Sequence, residues 1–353
     1  MHCLENIDRI QFTKDLMIDL FKLYEKKGES TIYEERFNRD DKILSRSIIE
    51  EDIEAIGKLL ELNITPTRLS LLASLTKEYV PKNKDEQYLL NIKDVLIKIA
   101  QSNQTFAVEF REFEDLATVL YRDVKRVGFK KGIRKRGVTT REFHELSGDE
   151  QLRHLIKLYN DVKKEGKTDI LTTISNFYVD FVKVEPFTDE NHFMGLIVLY
   201  TIIDREFKVC RYDSFFELLN KEKDAFQNGL VQAFYDWENG LSQTDSLVRV
   251  FIRILLQMHK NVEIKLHEYE FTLTMNKTNN IEAIVRNGPQ VFSKNDIREQ
   301  APLISDSTIT RTLNLLKEQG VIVSLGQGRS AKWQRVVEKP KEFSYDQLSL
   351  FND

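Results

Sequence analysis

Long stretches of this sequence place apolar residues at three- and four-residue intervals, with few helix-breaking residues between them. Only six prolines and fourteen glycines occur in 353 residues, whereas segments such as DLMIDLFKLYEKK and YLLNIKDVLIKIA each carry one apolar face. This spacing is typical of amphipathic α-helices that bury one side. The sequence therefore predicts a mainly α-helical protein, long enough to form two or three domains.

Composition and charge exclude several classes of protein. Hydrophobic and charged contents of 41% and 31% are those of a globular protein. No apolar run reaches the ~18 residues that cross a bilayer, so we predict no membrane segment. The N-terminal residues carry charges where a secretory signal needs an apolar stretch. Cys3 and Cys210 have no metal-binding spacing, and reduced thiols fit a cytoplasmic location.

Changes in composition divide the chain into five predicted segments. These are an N-terminal helical region at 1–94, a helical core at 95–265, a linker at 266–280, a small module at 281–337 and a tail at 338–353. The linker is predicted where FTLTMNKTNN is polar and poor in helix-forming residues. The tail contains Leu348 and Phe351 and is expected to be a loose end.

A basic stretch at 128–143 interrupts the helical pattern of the core. It contains three glycines and ends with β-branched residues. We predict an exposed β-hairpin, called here the flap, rather than a helix. Its candidate binding residues are Lys130, Lys131, Arg134, Lys135 and Arg136.

The module at 281–337 has a distinctive order of predicted elements. A first helix ends at Asn287 and Gly288, Ser293 can cap a second helix, and Ser305 or Asp306 can cap a third. Two β-prone stretches, VIVSL and KWQRVV, follow. Three helices and a two-stranded wing in this order resemble the winged helix-turn-helix fold.

The third helix of such a fold reads the major groove of DNA. Short hydroxyl side chains and a guanidinium group on its outer face can contact base edges and phosphates. Eight Lys/Arg against five Asp/Glu give the module a net charge of +3, so one copy should bind double-stranded DNA weakly and with strong salt dependence. The alternative is a winged helix that binds protein. The candidate DNA contacts are Ser307, Thr308, Thr310, Arg311, Arg329 and Lys332.

An acidic decamer, VEPFTDENHF at 184–193, separates two apolar patterns in the core. An amphipathic helix is predicted at 169–183, and FMGLIVLYTII after the decamer is apolar throughout. Helix, decamer and buried helix together resemble the Fic (filamentation-induced-by-cyclic-AMP) family, whose loop reads H-P-F-x-D/E-G-N-G-R-x-x-R. The resemblance covers about residues 95–262 and the C-terminal module, and it rests on order and spacing.

The resemblance implies a Fic-like helical core with a small β-hairpin flap. In active members a histidine deprotonates a target hydroxyl group, and a carboxylate holds magnesium on the nucleotide. Amides at the helix start and two arginines bind the phosphates, and the flap pairs with the target peptide. Carried over by position, Asp189 would hold the metal and Asn191 would contact the nucleotide.

Most chemical positions of the motif have changed in this sequence. The positions that match are Pro186, Phe187, Asp189 and Asn191. The replacements are Glu185 for the histidine, Glu190 and His192 for the glycines, and Phe193 and Leu196 for the arginines. Loss of a positioned base typically costs ~10²–10⁴ in rate, and Glu190 puts negative charge where a phosphate would lie. The loop is therefore predicted to be degenerate and non-catalytic.

A second family motif, an inhibitory helix with S/T-x-x-x-E-G/N, has a partial match in SRSIIEED at 45–52. Ser47 and Glu51 fit the motif, whereas Asp52 replaces its last residue. The glutamate would have no arginine to bind, since Leu196 stands in that place. We interpret the segment instead as the N-cap of a helix.

These observations predict a Fic-like protein that regulates by binding DNA and needs no cofactor. One alternative is an active AMP transferase that modifies protein hydroxyl groups, with Glu185 as an atypical base and with ATP and magnesium as cofactors. Another is a protein-interaction scaffold that uses the flap and the tail. The sequence leaves open a homodimer and a protein partner at the flap.

Overall fold

The computed structural model describes residues 3–336, except 11, 38–39, 76–78, 102–107, 134–141, 275–276, 303 and 327–330. The chain forms two compact units, one from Met1 to Leu266 and one that begins at His267. The described residues are mainly helical, with one three-stranded antiparallel sheet. The predicted fold class is thus confirmed. None of the helices described is long and apolar enough to span a membrane.

The regular elements that the structure describes in the first unit are helices, short 3₁₀ turns and one isolated β-bridge. Its helices are α1 (Lys14–Phe37), α2 (Asp41–Leu59), α3 (Pro66–Ser74), α4 (Lys84–Gln101), α5 (Phe110–Leu120), α6 (Gly148–Glu165), α7 (Ile170–Val184), α8 (Asn191–Glu206), α9 (Phe215–Lys221) and α10 (Lys223–Phe234). The long helix α11 (Asp245–Thr274) follows, and the boundary between the units falls within it.

The centre of the first unit is the helix pair α7 and α8. Residues 171–182 of α7 and 193–203 of α8 are all buried. The two helices approach closely at Gly195, where an added Cβ would lie 2.8 Å from the Phe181 ring and 3.2 Å from the Tyr178 ring. The pair positions the acidic decamer, because the decamer supplies the turn between them.

Two buried carboxylates join distant segments to this centre. Asp180 of α7 accepts hydrogen bonds from the backbone N–H groups of Cys3 and Leu4, at 2.7 and 3.0 Å, and from Trp237 Nε1 at 2.7 Å. Burial raises the pKa of Asp180 to about 6. The N-terminus therefore packs on the core helix. The domain boundary predicted between 94 and 95 is wrong, because it falls inside the continuous helix α4.

The second carboxylate, Asp52, lies in the middle of α2. Its Oδ1 accepts from Ser214 Oγ at 2.6 Å and from the Phe216 N–H at 3.1 Å, and burial raises its pKa to about 7. It thus binds the first turn of α9. The interpretation of 45–52 as a helix N-cap is wrong, since α2 begins at Asp41 and Ser47 lies within it.

The second unit contains three helices and the sheet. Its elements in chain order are α12 (Lys277–Asn287), β1 (Val291–Ser293), α13 (Lys294–Gln300), α14 (Asp306–Glu318), β2 (Ile322–Ser324) and β3 (Lys332–Arg335). The strand order is β1-β3-β2, with Phe292 opposite Trp333 and Val323 opposite Gln334. Apolar residues from all three helices, including Ile281, Ile297 and Leu313, form its core.

The segment predicted as a linker, 266–280, is helical in the residues that the structure describes, and the boundary between the two units falls at its start, after Leu266. Helix α11 continues to Thr274, and α12 begins at Lys277. Polar residues can extend an existing helix because each added residue gains a backbone hydrogen bond without a new nucleation cost. Helix α11 therefore ends inside FTLTMNKTNN, but the low helix propensity of this segment does not prevent helix on both sides of that end.

Candidate functional site: the acidic loop between α7 and α8

The acidic loop, residues 185–190, reverses the chain between the two central helices. Glu185 ends α7 with φ of 48°, and Glu190 precedes α8 with φ of 61°. Both lie in the left-handed region that glycine adopts without a steric penalty, so each glutamate carries backbone strain of about 1 kcal/mol or more. Two strained residues persist in so short a loop only where surrounding contacts hold them.

Asn191 supplies one of those contacts. Its Oδ1 accepts from the Phe187 N–H and its Nδ2 donates to the Phe187 carbonyl, both at 2.9 Å. The Asn191 side chain is buried, and so is Phe187, whose ring stacks on Phe129 at 4.6 Å. Asn191, the first residue of α8, thus fixes both the N–H and the carbonyl group of one loop residue, Phe187.

The first residues of the flap pair with the loop. The Lys130 N–H donates to the Pro186 carbonyl at 3.0 Å, and the Thr188 N–H donates to the Gly128 carbonyl at 2.8 Å. Phe129 lies opposite Phe187 in an antiparallel bridge. Residues 128–133 of the flap are therefore extended rather than helical, and they lie against the loop.

The flap also contacts the first turn of α6. The Gly148 N–H donates to the Lys130 carbonyl at 2.8 Å. A Cβ added at Gly148 would collide with the Pro186 carbonyl oxygen and would lie 2.9 Å from the Lys130 nitrogen. Only glycine fits at this position, since loop, flap and α6 meet there backbone to backbone.

Two lysines form ion pairs with the three carboxylates of the loop and offset most of their charge. Lys130 Nζ lies 2.7 Å from Glu185 Oε2. Lys125 Nζ lies 2.9 Å from Asp189 Oδ2 and forms a close ion pair with Glu190. Burial alone would lower the pKa of Lys125, but its hydrogen bonds to the two carboxylates raise it. The hydrogen bond from Lys125 lowers the pKa of Asp189 below its ordinary value.

The two family arginine positions are part of the core in this protein. Phe193 and Leu196 are 5% and 4% exposed. The Phe193 ring packs edge-on against Tyr88 at 5.9 Å. His192, at a glycine position, points outward and lies against the Phe234 ring at 6.2 Å. Positions 193 and 196 therefore contribute apolar packing and no cation to the region beside the loop.

These side chains do not fit a magnesium-bound nucleotide. Lys125 occupies the place beside Asp189 and Glu190 that a divalent cation would need. No arginine occurs between residues 185 and 196, so none there can bind phosphate. Among the described residues, no group of three or more His, Cys, Asp and Glu side chains could hold a metal ion.

The remaining candidate residues of the flap are only partly described. Lys131 forms no ion pair with any described residue. The other three, Arg134, Lys135 and Arg136, lie outside the described residues. Among the candidate flap residues that the structure describes, Lys131 is therefore the one cation that is free to contact a protein partner.

The candidate DNA contacts lie in the second unit. Ser307 and Arg311 on α14 are exposed, as is Lys332 on β3. Thr308 and Thr310 are half-buried and hydrogen-bond locally, Thr308 Oγ1 with Ser305 Oγ at 2.9 Å and Thr310 Oγ1 with the Asp306 carbonyl at 2.7 Å. Arg329 lies outside the described residues.

Sequence reasoning missed the lysines that contact the loop. It treated Lys130 as a binding residue of the flap and did not consider Lys125. A signal was available, because the basic stretch 125–131 and the acidic loop carry opposite charges within one unit. Complementary charge of this kind indicates that the two segments can approach each other, but it does not determine which lysine pairs with which carboxylate.

The geometry defines a class of helical proteins in which a loop between two buried helices is covered by an extended flap. No protein-family model matches the sequence, and no curated protein matches it. Among solved structures, a Fic family protein from Desulfovibrio desulfuricans G20 is similar, with a TM-score of 0.57 and 14% identity over 94% of this chain and 99% of that chain. A Fic domain containing signaling protein from Bacteroides thetaiotaomicron VPI-5482 has a TM-score of 0.45 and 14% identity over 69% and 98%.

The first of these likenesses extends over nearly the whole of both chains. This protein has the Fic fold, as the sequence resemblance predicts.

Proposed function

We propose that this Fic-fold protein is a DNA-binding regulator whose acidic loop does not transfer nucleotides. On this proposal the second unit is a winged helix-turn-helix, with α14 as the helix that enters the major groove. The observation that carries the proposal is the outer face of α14, where Arg311 is exposed and forms no ion pair with any described residue.

The two faces of α14 support this assignment. Ile309, Leu313 and Leu316 are buried in the core of the unit, at 0 to 1% exposure. Ser307 and Arg311 lie on the opposite, exposed face. A guanidinium group there can bind guanine edges or phosphates without first breaking another contact.

The charge of residues 281–336, opposite in sign to that of the whole chain, also favours DNA binding by the second unit. The net charge is −4 over the whole chain, whereas residues 281–336 carry +3. Lys332 on β3 adds an exposed cation where the wing of such a fold contacts a phosphate. The Arg298–Asp306 ion pair neutralises a carboxylate in the first turn of α14.

The contacts of the acidic loop support the non-catalytic part of the proposal. Glu185, which would have to act as the base, is bound to Lys130 at 2.7 Å. Asn191, which would present its amide to a nucleotide, uses its side chain to hold Phe187. Both residues therefore have structural partners that a catalytic cycle would need to displace.

The test is fluorescence anisotropy of the full chain with a pool of random DNA duplexes at several salt concentrations. We expect salt-sensitive binding and, after selection of a preferred duplex, a loss of about 1–3 kcal/mol on Arg311→Ala. Lys332→Ala should reduce the slope of log K against log salt by about 0.9.

Arg111→Ala is the matched control, because Arg111 is an exposed arginine on α5 without an ion pair among the described residues. This variant should bind DNA as the wild type does. Absence of salt-sensitive binding at every concentration would refute the proposal, and so would equal losses in the Arg111→Ala and Arg311→Ala variants.

A further inference from the structure

One face of α1 carries apolar side chains that are exposed among the residues the structure describes. Phe21 is 72% exposed, and Met17 and Ile32 are each 40% exposed. They lie on the side of the helix opposite the buried residues Leu16, Leu20 and Leu23. Exposed apolar residues aligned along one helix indicate a contact surface more strongly than the same residues scattered singly.

A glycine lies in the middle of this face. Gly28 is exposed, and an added Cβ would meet no atom within 4 Å. Its φ does not lie in the left-handed region, so helix geometry does not require glycine there. Glycine in a helix interior destabilises the helix relative to alanine. The absence of a side chain instead leaves a depression that a large side chain from outside can fill.

The spacing along this face is symmetric. The residues Lys14, Met17, Phe21, Gly28, Ile32 and Glu35 follow each other at intervals of three, four, seven, four and three. These intervals place all six on one side of an α-helix. A face with this symmetry is complementary to itself when a second copy lies antiparallel, related by a two-fold axis.

We propose that two copies of this chain associate through α1, in antiparallel orientation. A two-fold axis that passes between residues 24 and 25 places Phe21 of each copy against Gly28 of the other. The same axis places Met17 against Ile32 of the other copy. Each pair occurs twice, because the interface is the same patch on both copies.

The charges at the two ends of this α1 face favour a second copy of the same chain as its binding partner. The same axis places the ammonium group of Lys14 opposite the carboxylate of Glu35 of the other copy. Both residues are exposed, and neither forms an ion pair with any described residue. Glu25 lies near the two-fold axis, close to Glu25 of the other copy. Repulsion between these two carboxylates limits the affinity, although Lys22 flanks Glu25 in each copy. We therefore expect a concentration-dependent dimer rather than an obligate one.

The test is sedimentation velocity of the full chain over a wide range of concentrations, without nucleic acid. The wild type should shift from monomer to dimer. Phe21→Glu should weaken the association about 30-fold or more, because it removes the central apolar contact. Gly28→Leu should abolish the shift while raising the thermal stability of the monomer, since leucine favours the helix but fills the depression.

Charge variants test the orientation. Lys14→Glu should weaken the dimer about tenfold, and the double variant Lys14→Glu/Glu35→Lys should restore it, because each copy then offers the opposite charge. Tyr235→Ala is the control, since Tyr235 is an aromatic residue of similar exposure, 76%, elsewhere in the first unit. It should leave the dimer unchanged.

A chain that stays monomeric at every concentration would overturn the proposal. A dimer that persists in both Phe21→Glu and Gly28→Leu would also overturn it, because association would then use another face. Failure of the double charge variant to recover would refute the antiparallel orientation. None of these results depends on whether the chain binds DNA, so this proposal and the proposed function can fail separately.

Discussion

Replacement of Asn191 by alanine tests whether this side chain holds the acidic loop or serves a ligand. The change removes two hydrogen bonds of 2.9 Å to the Phe187 N–H and carbonyl. Both groups lie in a buried segment, so each is left without its partner at a cost of about 1–3 kcal/mol. Part of this cost is recovered if the loop relaxes. We expect a net loss of about 2–4 kcal/mol in the free energy of unfolding.

The assay is chemical unfolding of the first unit, followed by the fluorescence of Trp237. The chain has two tryptophans, so a Trp333→Phe background makes Trp237 the only one. Thr188→Ala is the matched control, because it removes one longer bond of 3.3 Å from an exposed side chain. We expect a loss of about 0.5 kcal/mol or less for the control.

Asn191→Asp gives an intermediate test. It keeps an oxygen that accepts from the Phe187 N–H but removes the donor to the Phe187 carbonyl, so its loss should lie between those of the other two variants. The reasoning is refuted if Asn191→Ala unfolds at the same denaturant concentration as the background protein. Such a result would mean that Asn191 is free for another role.

Three further predictions concern the contacts around the loop and the core. Gly148→Ala should lower the free energy of unfolding by about 1–3 kcal/mol, because its Cβ would collide with the Pro186 carbonyl; denaturant unfolding checks this. Asp52→Asn should flatten the dependence of stability on pH, measured as melting temperature between about pH 4 and about pH 7. The folded pKa of Asp52 is raised to about 7, so the wild type binds a proton on folding and should lose stability as pH rises through that range. The variant should lose less, because Asp180, whose pKa is raised to about 6, still titrates there. Lys125→Ala should cost at most about 1 kcal/mol, and less at high salt, because its ion pairs are partly exposed; Asp189 should then titrate closer to its ordinary pKa, which carbon-detected NMR can follow.

Much of the fold follows from local spacing in the sequence. The helices on both sides of the acidic decamer were predicted from their apolar periodicity, and α7 and α8 lie there. Periodicity succeeds in this region because burial of apolar residues determines both the pattern and the packing. It fails at element ends, as in 266–280, where backbone hydrogen bonding extends α11 regardless of side-chain polarity.

The candidate site was predictable in its location but not in its contacts. The motif positions identify the loop, because Pro186, Phe187, Asp189 and Asn191 keep their order. The ion pairs from Lys125 and Lys130 join residues more than fifty positions apart. No local pattern determines such pairs, since they depend on how the flap crosses the loop. The role of Gly148 depends on the same crossing and is equally invisible in the sequence.

The ion pairs seen in the structure also change the reason why the loop would not bind a nucleotide. From the sequence, the three carboxylates repel a polyphosphate. In the structure two lysines pair with these three carboxylates, so the net repulsion of a polyphosphate is reduced. A nucleotide would instead have to displace these lysines and find phosphate contacts in a region where the arginine positions are occupied by the buried residues Phe193 and Leu196.

The most direct measurement of this account is a calorimetric titration of the full chain with ATP and magnesium. The ion pairs and the buried arginine positions predict no binding heat beyond dilution, in the wild type and in Lys125→Ala alike. Stoichiometric binding by the wild type, lost when Asp189 or Asn191 is replaced, would contradict the claim that the loop between α7 and α8 does not accept a nucleotide.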